Sequence, residues 1–122
     1  MKELILVFVG SGLGGISRFL IGKKMVVNYF PFSTLLANVL ACFILGLTIG
    51  LAHHRQLISA DVRLFMTVGF CGGFSTFSTF SYDTLQLLQA GNYKMGIINI
   101  LLSVVLSIAA TLAGLMISSL NH

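Results

Sequence analysis

Charged side chains are scarce in this chain, and acidic ones are almost absent. Only 8% of the 122 residues are Asp, Glu, Lys or Arg, whereas 57% are hydrophobic. Soluble domains carry roughly a quarter charged residues. The composition therefore excludes an ordinary soluble domain and indicates an integral membrane protein.

The shortage of carboxylates also limits the chemistry that the chain can perform. Glu3, Asp61 and Asp83 are the only acidic residues, and the first two fall at the ends of apolar segments. The sequence offers no pair of carboxylates, no Ser/His/Asp set and no cysteine nucleophile with a partner histidine, so we expect no enzymatic activity. A proton-coupled carrier needs an ionisable group within the membrane, for which Arg18 and Asp83 are weak candidates near segment ends.

Cysteine and clustered basic residues are equally sparse. Cys42 and Cys71 both lie inside apolar segments, which fits neither a disulfide framework nor a metal site with four cysteine ligands. We interpret them as packing residues. The net charge of +4 comes from basic residues at segment ends, without the basic patch of a nucleic-acid-binding protein. We therefore expect a lipid bilayer, and no nucleic acid, as a partner.

Apolar runs near the ~20 residues that span a bilayer recur four times. They cover residues 4–21, 32–52, 62–88 and 95–120, with polar turns between them. Pro31, the only proline, stands where the second helix can begin. We predict an all-α integral membrane protein with one domain, residues 1–122, and four transmembrane helices.

The third apolar segment is too long for one regular helix and contains the run GFCGGFSTFSTFSYD at 69–83. Its glycines weaken a helix, and its hydroxyls need partners. Freed backbone groups are tolerated in a membrane only where protein buries them or a water-filled cavity meets them. We therefore predict a break in the middle of this helix, at 72–75, of the kind that commonly lines an ion or substrate site. A close helix crossing at Gly69 and Gly73 is the alternative, but it does not explain the interleaved hydroxyls.

The basic residues give the chain almost no preferred orientation. With four crossings, Lys2, Arg55 and Arg63 lie on one side of the membrane, and the other four basic residues lie on the opposite side. Such a chain can insert both ways and pair antiparallel, or features other than charge can fix its orientation. Four short helices are few to enclose a path, so a dimer is the economical expectation.

Polar side chains within the apolar segments are the candidates for a transport path. Asn38 either binds a neighbouring helix or lines a polar path, where its amide can donate to an anion. Arg18 either snorkels to the interface or holds positive potential over a vestibule. A polar stripe on the fourth segment either forms a track or bonds its own backbone. This stripe repeats every four residues and consists of Asn99, Ser103, Ser107 and Thr111.

Phe77 and Phe80 give the sharpest indication of what passes. An aromatic ring has a negative face and a positive edge, so edges turned inward attract a small anion weakly. Hydroxyls from Ser78, Thr79 and the fourth helix can donate hydrogen bonds beside them. Conduction needs favourable binding and easy release, which weak contacts of this kind provide. Core packing is the alternative role for both rings.

The motif GGFSTFSTFSYD at 72–83, with GGISR at 14–18 and Asn38 in the second segment, resembles the Fluc/CrcB family of fluoride channels. The similarity covers the whole chain in length, number of crossings and order of motifs. It implies an antiparallel, dual-topology homodimer in the bacterial cell membrane, with two fluoride pores. This agrees with the weak charge bias. We therefore expect a passive channel through which cells expel fluoride.

The resemblance also implies roles for individual residues. Arg18 matches the arginine of the aqueous vestibule, and a structural sodium ion on the dimer axis is implied to bind the backbone carbonyls of Gly72 and Ser75. The implied pore lining is a set of amide, aromatic and hydroxyl side chains: Asn38, Phe77, Phe80, Ser78, Thr79, Ser107 and Thr111. Mild departures from the family's pattern leave the function in place; they are Ser33, Ala41 and Asp83.

Two other functions remain open on the sequence. A small dual-topology multidrug exporter, a proton-coupled carrier, has a similar size, but it wants a carboxylate well inside the membrane. The first segment carries only Glu3. One half of a heteromeric membrane complex is the other alternative, and the balanced basic charges argue against it.

Overall fold

The computed structural model describes residues 1–25 and 30–120. These residues form helices and turns, and no strand occurs among them. Three helices are long: α1 (Lys2–Lys24), α2 (Phe32–Gly50) and α6 (Tyr93–Ser119). Between α2 and α6 the chain forms shorter pieces: a π-helical turn at Leu51–Arg55, α3 at Ala60–Leu64, a π-helical segment at Phe65–Cys71, α4 at Gly72–Phe74 and α5 at Phe77–Gln89.

The long helices have the length and composition of membrane spans. The candidate spans are Lys2–Lys24, Phe32–His53, which extends α2 into the π-helical turn, and Tyr93–Ser119. The last span, with its 27 residues, is about 40 Å long, which exceeds the ~30 Å hydrocarbon core of a bilayer. Large apolar side chains such as Phe8, Phe19 and Ile108 are exposed on their surfaces. The expectation of an all-helical, multi-pass membrane protein is therefore confirmed.

The third apolar segment is interrupted, and its two parts are short. Ser59 caps α3 by accepting a hydrogen bond from Val62 N at 3.2 Å, and the chain then widens into a π-helix before α4. Ser75 and Thr76 are both extended, with ψ of 157° and 119°. The break therefore lies at the C-terminal end of the predicted stretch, and a fourth membrane crossing stays a prediction.

Close contacts between glycines hold the helices together. A Cβ atom on Gly10 of α1 would lie 2.9 Å from the Cα of Gly69, and one on Gly114 of α6 would lie 2.6 Å from the amide nitrogen of Leu47 in α2. These distances are too short for a side chain, so α1 packs on the π-helical segment, and α2 on α6, because of small residues. Gly73 contacts Ser11 of α1 in the same way, so the glycine run serves packing as well as the break.

An ion pair ties the start of α1 to the start of α3. Lys2 Nζ lies 2.8 Å from Asp61 Oδ2, and both side chains are largely exposed. The N-terminus and the loop after α2 therefore lie at the same end of the molecule. This arrangement agrees with the predicted placement of Lys2 on the same side of the membrane as that loop.

Candidate functional site

Asn38 binds the backbone at the helix break. Its side-chain Nδ2 donates to the Thr76 carbonyl oxygen at 3.2 Å, and its Oδ1 accepts from the Thr76 N–H at 2.7 Å. One amide thus satisfies both backbone groups of a residue that has left the helix. Because unpaired backbone groups cost several kcal/mol away from water, this contact stabilises the break directly.

Thr76 in turn begins the next helix. Its Oγ1 accepts from the Thr79 N–H at 3.1 Å, which is an N-cap of α5, and it lies 3.1 Å from Ser78 Oγ. The sequence alone did not indicate Thr76 as a site residue. The available signal was a threonine directly before an amphipathic run, which is a common helix start.

A cavity of about 350 Å³ opens at the break, between α2, α5 and α6. We call it the break cavity. It contains four of the seven predicted pore residues: Asn38, Phe77, Phe80 and Ser107. The other lining residues are Cys42, Ser75, Thr76, Ser103, Val104 and Ile108. A mainly apolar wall with a few polar groups is typical of a small-ligand site.

The two phenylalanines of the motif are neighbours at the cavity wall. Their ring centroids are 5.6 Å apart and the ring planes are inclined by 49°, so the rings are tilted rather than stacked flat. Phe80 is half-buried, whereas the side chain of Phe77 is 79% exposed on the monomer. Such exposure of a ring that also lines a cavity leaves this side of the cavity open toward lipid or a partner.

The polar stripe on α6 divides into parts with different contacts. Asn99 is buried, with 1% exposure, and its Nδ2 donates to Thr84 Oγ1 at 2.8 Å. Thr84 Oγ1 donates to the Phe80 carbonyl at 2.8 Å, and Ser103 Oγ donates to Asn99 Oδ1 at 3.3 Å. This network joins α6 to the helix that carries Phe77 and Phe80.

The C-terminal part of the stripe, Ser107 and Thr111, makes different contacts. Ser107 lines the break cavity. Thr111 Oγ1 donates to the Ser107 carbonyl at 3.0 Å, which is the backbone contact that sequence analysis gave as the alternative to a track. The structure therefore brings Ser107 to the cavity, and it places Thr111 one helical turn beyond it.

A second cavity, of about 370 Å³, lies on another side of the break. We call it the basic cavity, because Arg18 and Lys23 line it. Thr79 and Thr76 also border it, so Thr76 lies between the two cavities. Arg18 Nε donates to the Gly73 carbonyl at 3.3 Å, just before the break. Arg18 is thus half-buried against the break and adds positive potential to the cavity.

Asp83 is bound across the fold rather than left in solvent. Thr34 Oγ1 of α2 donates to Asp83 Oδ2 at 2.8 Å, and Thr34 also lines the basic cavity. The contact fixes the middle of α5 to the start of α2. The sequence indicated Asp83 but not Thr34, since nothing in the local pattern pairs residues that far apart.

Comparison with known proteins identifies the family. A sequence profile described as "CrcB-like protein, Camphor Resistance (CrcB)" matches residues 5–115, which is nearly the whole chain. The chain belongs to the CrcB family. The membership predicted from the motif at 72–83 is therefore confirmed.

Full-length relatives of this CrcB chain carry a functional name. The "Fluoride-specific ion channel FluC" of Pyrococcus furiosus is 41% identical over 119 residues, which cover 97% of each chain. The protein of that name from Phocaeicola vulgatus is 40% identical and covers 97% of this chain and 99% of its own. A third, from Azobacteroides pseudotrichonymphae, is 38% identical over 117 residues, 93% of this chain and 94% of its own. At the family level these names describe a channel and not an enzyme.

The CrcB motif contains two carbonyls that lose their helical donors at the break. In a continuous helix the Thr76 N–H would donate to the Gly72 carbonyl, but here it donates to Asn38 Oδ1. Likewise the Thr79 N–H, which would reach the Ser75 carbonyl, donates to Thr76 Oγ1. Carbonyl oxygens freed in this way suit a hard cation. Within the described part of the chain, no three His, Cys, Asp or Glu side chains converge on a metal position.

Proposed function

We propose that this chain is a passive fluoride channel, through which the anion leaves the cell down its electrochemical gradient. The observation that carries the proposal is the break cavity, where Phe77, Phe80 and hydroxyls of α6 meet a broken helix. It stands beside the name of relatives that match the chain over nearly its full length, "Fluoride-specific ion channel FluC". Among the chemistries open to a membrane chain poor in carboxylates, anion conduction uses these features best.

The donors around the break cavity suit a small anion. The Asn38 amide carries two N–H bonds and donates one to Thr76, so the second can donate to an ion in the cavity. Ser107 adds a hydroxyl, and the rings of Phe77 and Phe80 add weakly positive edges. None of these groups carries a full charge. An anion therefore gains enough attraction to enter and is released easily, as conduction requires.

The remaining predicted residues extend this cavity into a path. We propose that Arg18 and Lys23 concentrate anions in the basic cavity, which serves as the vestibule. Ser78 and Thr79, beside the Thr76 cap, would then pass the anion to the break cavity. Ser107 and Thr111 would line the exit along α6. The shared position of Thr76 between the two cavities supports this order.

A second copy of the chain completes the proposed channel. Phe77 is 79% exposed beside an open cavity, and one copy is too small to close the path. We propose an antiparallel, dual-topology homodimer with four crossings in each copy and two pores. The balanced basic residues support it, because they give neither orientation an advantage. We assign the dimer to the bacterial cell membrane.

The proposed dimer also accounts for the two freed carbonyls. Gly72 is exposed, and outside its own helical turn a Cβ built on it would come no closer than 4.0 Å to another atom, the Thr67 carbonyl oxygen, so a partner can reach this part of the backbone. We propose that the Gly72 and Ser75 carbonyls of both copies hold a structural sodium ion. When bound, the ion supplies positive charge that fixes the break and joins the copies. The chain's own contribution is the pair of carbonyl oxygens that Asn38 and Thr76 leave without helical donors.

Fluoride efflux from liposomes tests the proposal. The purified protein is reconstituted into liposomes loaded with potassium fluoride, a potassium ionophore is added, and a fluoride electrode follows release. We expect rapid release that depends on the ionophore, and slow release from matched liposomes loaded with chloride. If well-reconstituted protein releases no fluoride, the proposal of a channel formed by this chain alone is wrong. Replacing both Phe77 and Phe80 by Ile tests the aromatic mechanism, with Phe8→Ile, an exposed ring on α1 that lines neither cavity, as the matched control.

A further inference from the structure

Two cysteines, to which the channel proposal gives no role, line the same small cavity beside the helix break. Cys42 of α2 and Cys71, the last residue of the π-helical segment, both line a cavity of about 130 Å³. Both thiols are free. The packing role expected from the sequence explains their burial. It does not explain why the only two cysteines of the chain face the same space.

We propose that Cys42 and Cys71 form a two-sulfur binding site for a soft cation that prefers two ligands, the chemistry of Hg²⁺. Thiolate sulfur is a soft ligand and selects soft metals over the hard cations that bind oxygen. No further His, Cys, Asp or Glu joins this pair in a ligand cluster within the described residues. A pair of thiolates therefore favours a metal that is satisfied by two sulfurs in a line.

Charge balance supports a divalent soft cation at this position. Each thiol loses its proton when its sulfur bonds to the metal, so mercuric chloride and two thiols give a dithiolate complex, two protons and two chloride ions. The complex is neutral. Neutrality matters because an uncompensated charge is costly in an apolar interior. The cavity volume is several times the ~30 Å³ of a water molecule, so a bare ion fits.

The two thiols differ in access, which sets the order of binding. Cys42 is half-buried and also lines the break cavity, whereas Cys71 is buried with 4% exposure. An ion that enters the break cavity therefore meets Cys42 first, and Cys71 then completes the site. Ser75 and Gly72 border the same small cavity, but they offer oxygen atoms, which a soft cation disfavours.

Retention of mercury against a competing monothiol tests the site. The reduced full-length protein is treated with mercuric chloride, washed with glutathione and weighed as an intact chain by mass spectrometry. We expect the wild type to gain one mercury atom less two hydrogens and to keep it through the wash. After denaturation both thiols should be protected from a maleimide. C42S and C71S should each lose their mercury in the wash, because a single thiolate holds the metal without a chelate partner.

A matched control separates pairing from the mere number of thiols. The double variant C71S with Val105→Cys keeps two cysteines, but position 105 is an exposed site on α6 that does not line the small cavity. It should lose mercury as readily as the single variants. The proposal is overturned if this control retains mercury as the wild type does. It is equally overturned if the wild type, which needs no substitution to fold, loses its mercury in the same wash.

Discussion

The hydrogen bonds between Asn38 and the Thr76 backbone predict that the helix break loses stability when the Asn38 side chain is removed. Asn38→Ala removes both hydrogen bonds to the Thr76 backbone and leaves an N–H and a carbonyl without their partner. Each buried group left unpaired costs about 1–3 kcal/mol. The two groups lie at the wall of a cavity, which lets water satisfy them in part, so we expect a loss of about 2–4 kcal/mol in the free energy of unfolding.

A control on the same helix isolates this effect. Thr48 is another polar residue of α2, and it is buried, but its Oγ1 donates to the Ile44 carbonyl of its own helix at 2.8 Å. Thr48→Ala removes a hydroxyl whose acceptor keeps its helical donor, so we expect a loss of about 1 kcal/mol or less. The comparison therefore contrasts a contact that holds the break with one that does not.

Two measurements follow the Asn38 substitution. Unfolding in mixed micelles by a denaturing detergent gives the loss of stability, and hydrogen exchange gives protection at the Thr76 amide. We expect that amide to exchange roughly 30-fold faster or more in Asn38→Ala, the factor that about 2 kcal/mol represents. If Asn38→Ala loses no more stability than Thr48→Ala and leaves hydrogen exchange at the Thr76 amide unchanged, the proposal that Asn38 stabilises the break is wrong.

Three further predictions concern the network on α6, the packing of α1 and the basic cavity. Asn99→Leu should lower the free energy of unfolding by about 2–4 kcal/mol, because the buried Ser103 hydroxyl loses its acceptor and Thr84 Oγ1 loses the donor from Asn99. Detergent unfolding measures the loss. Gly10→Ala should destabilise the protein by about 1–3 kcal/mol in the same assay, because its Cβ would lie 2.8 Å from the Phe65 carbonyl oxygen. Gly12→Ala is the control and should cause no such loss, because nothing lies within 4 Å of a Cβ at that position. Arg18→Gln should slow fluoride efflux more at low than at high ionic strength, since salt screens the attraction of anions to the vestibule; an equal slowing at both would contradict an electrostatic role.

The long helices could be predicted from the sequence because burial in lipid leaves a composition signal. The predicted second span began at residue 32, where α2 begins, because Pro31 and the apolar run coincide. The first and fourth spans differ from α1 and α6 by one to three residues at either end. Lys23 and Lys24 lie beyond the predicted first span, but in the structure they belong to the last turn of α1, because cations are favourable near a helix C-terminus.

The presence of the break could be predicted, but its position only approximately. Glycines and hydroxyls indicated an interruption at 72–75. In the structure it lies at Ser75 and Thr76, because the Asn38 amide binds the Thr76 backbone and the Thr76 side chain caps the next helix. The π-helical segment at Phe65–Cys71 has no signature in the sequence, because a segment that is apolar on nearly every side has no periodic pattern in which an extra residue per turn would show.

The site was predictable where a residue acts through its own type and not where it acts through a distant partner. The sequence named Phe77, Phe80 and Ser107, and the structure brings them to one cavity. It did not pair Thr34 with Asp83 or Asn99 with Thr84, because helical periodicity assigns a residue to a face but does not identify the opposing helix. The roles of all the predicted pore and vestibule residues in a transport path, those of Ser78, Thr79 and Thr111 included, stay predictions.

Fluoride release from reconstituted liposomes decides whether this chain conducts fluoride. With potassium fluoride inside and a potassium ionophore present, we expect rapid release that stops when the ionophore is left out, because a passive channel moves charge with the anion. Chloride-loaded liposomes should release their anion far more slowly. Liposomes that retain their fluoride, or that release chloride at the same rate, would contradict a fluoride channel built from this chain alone.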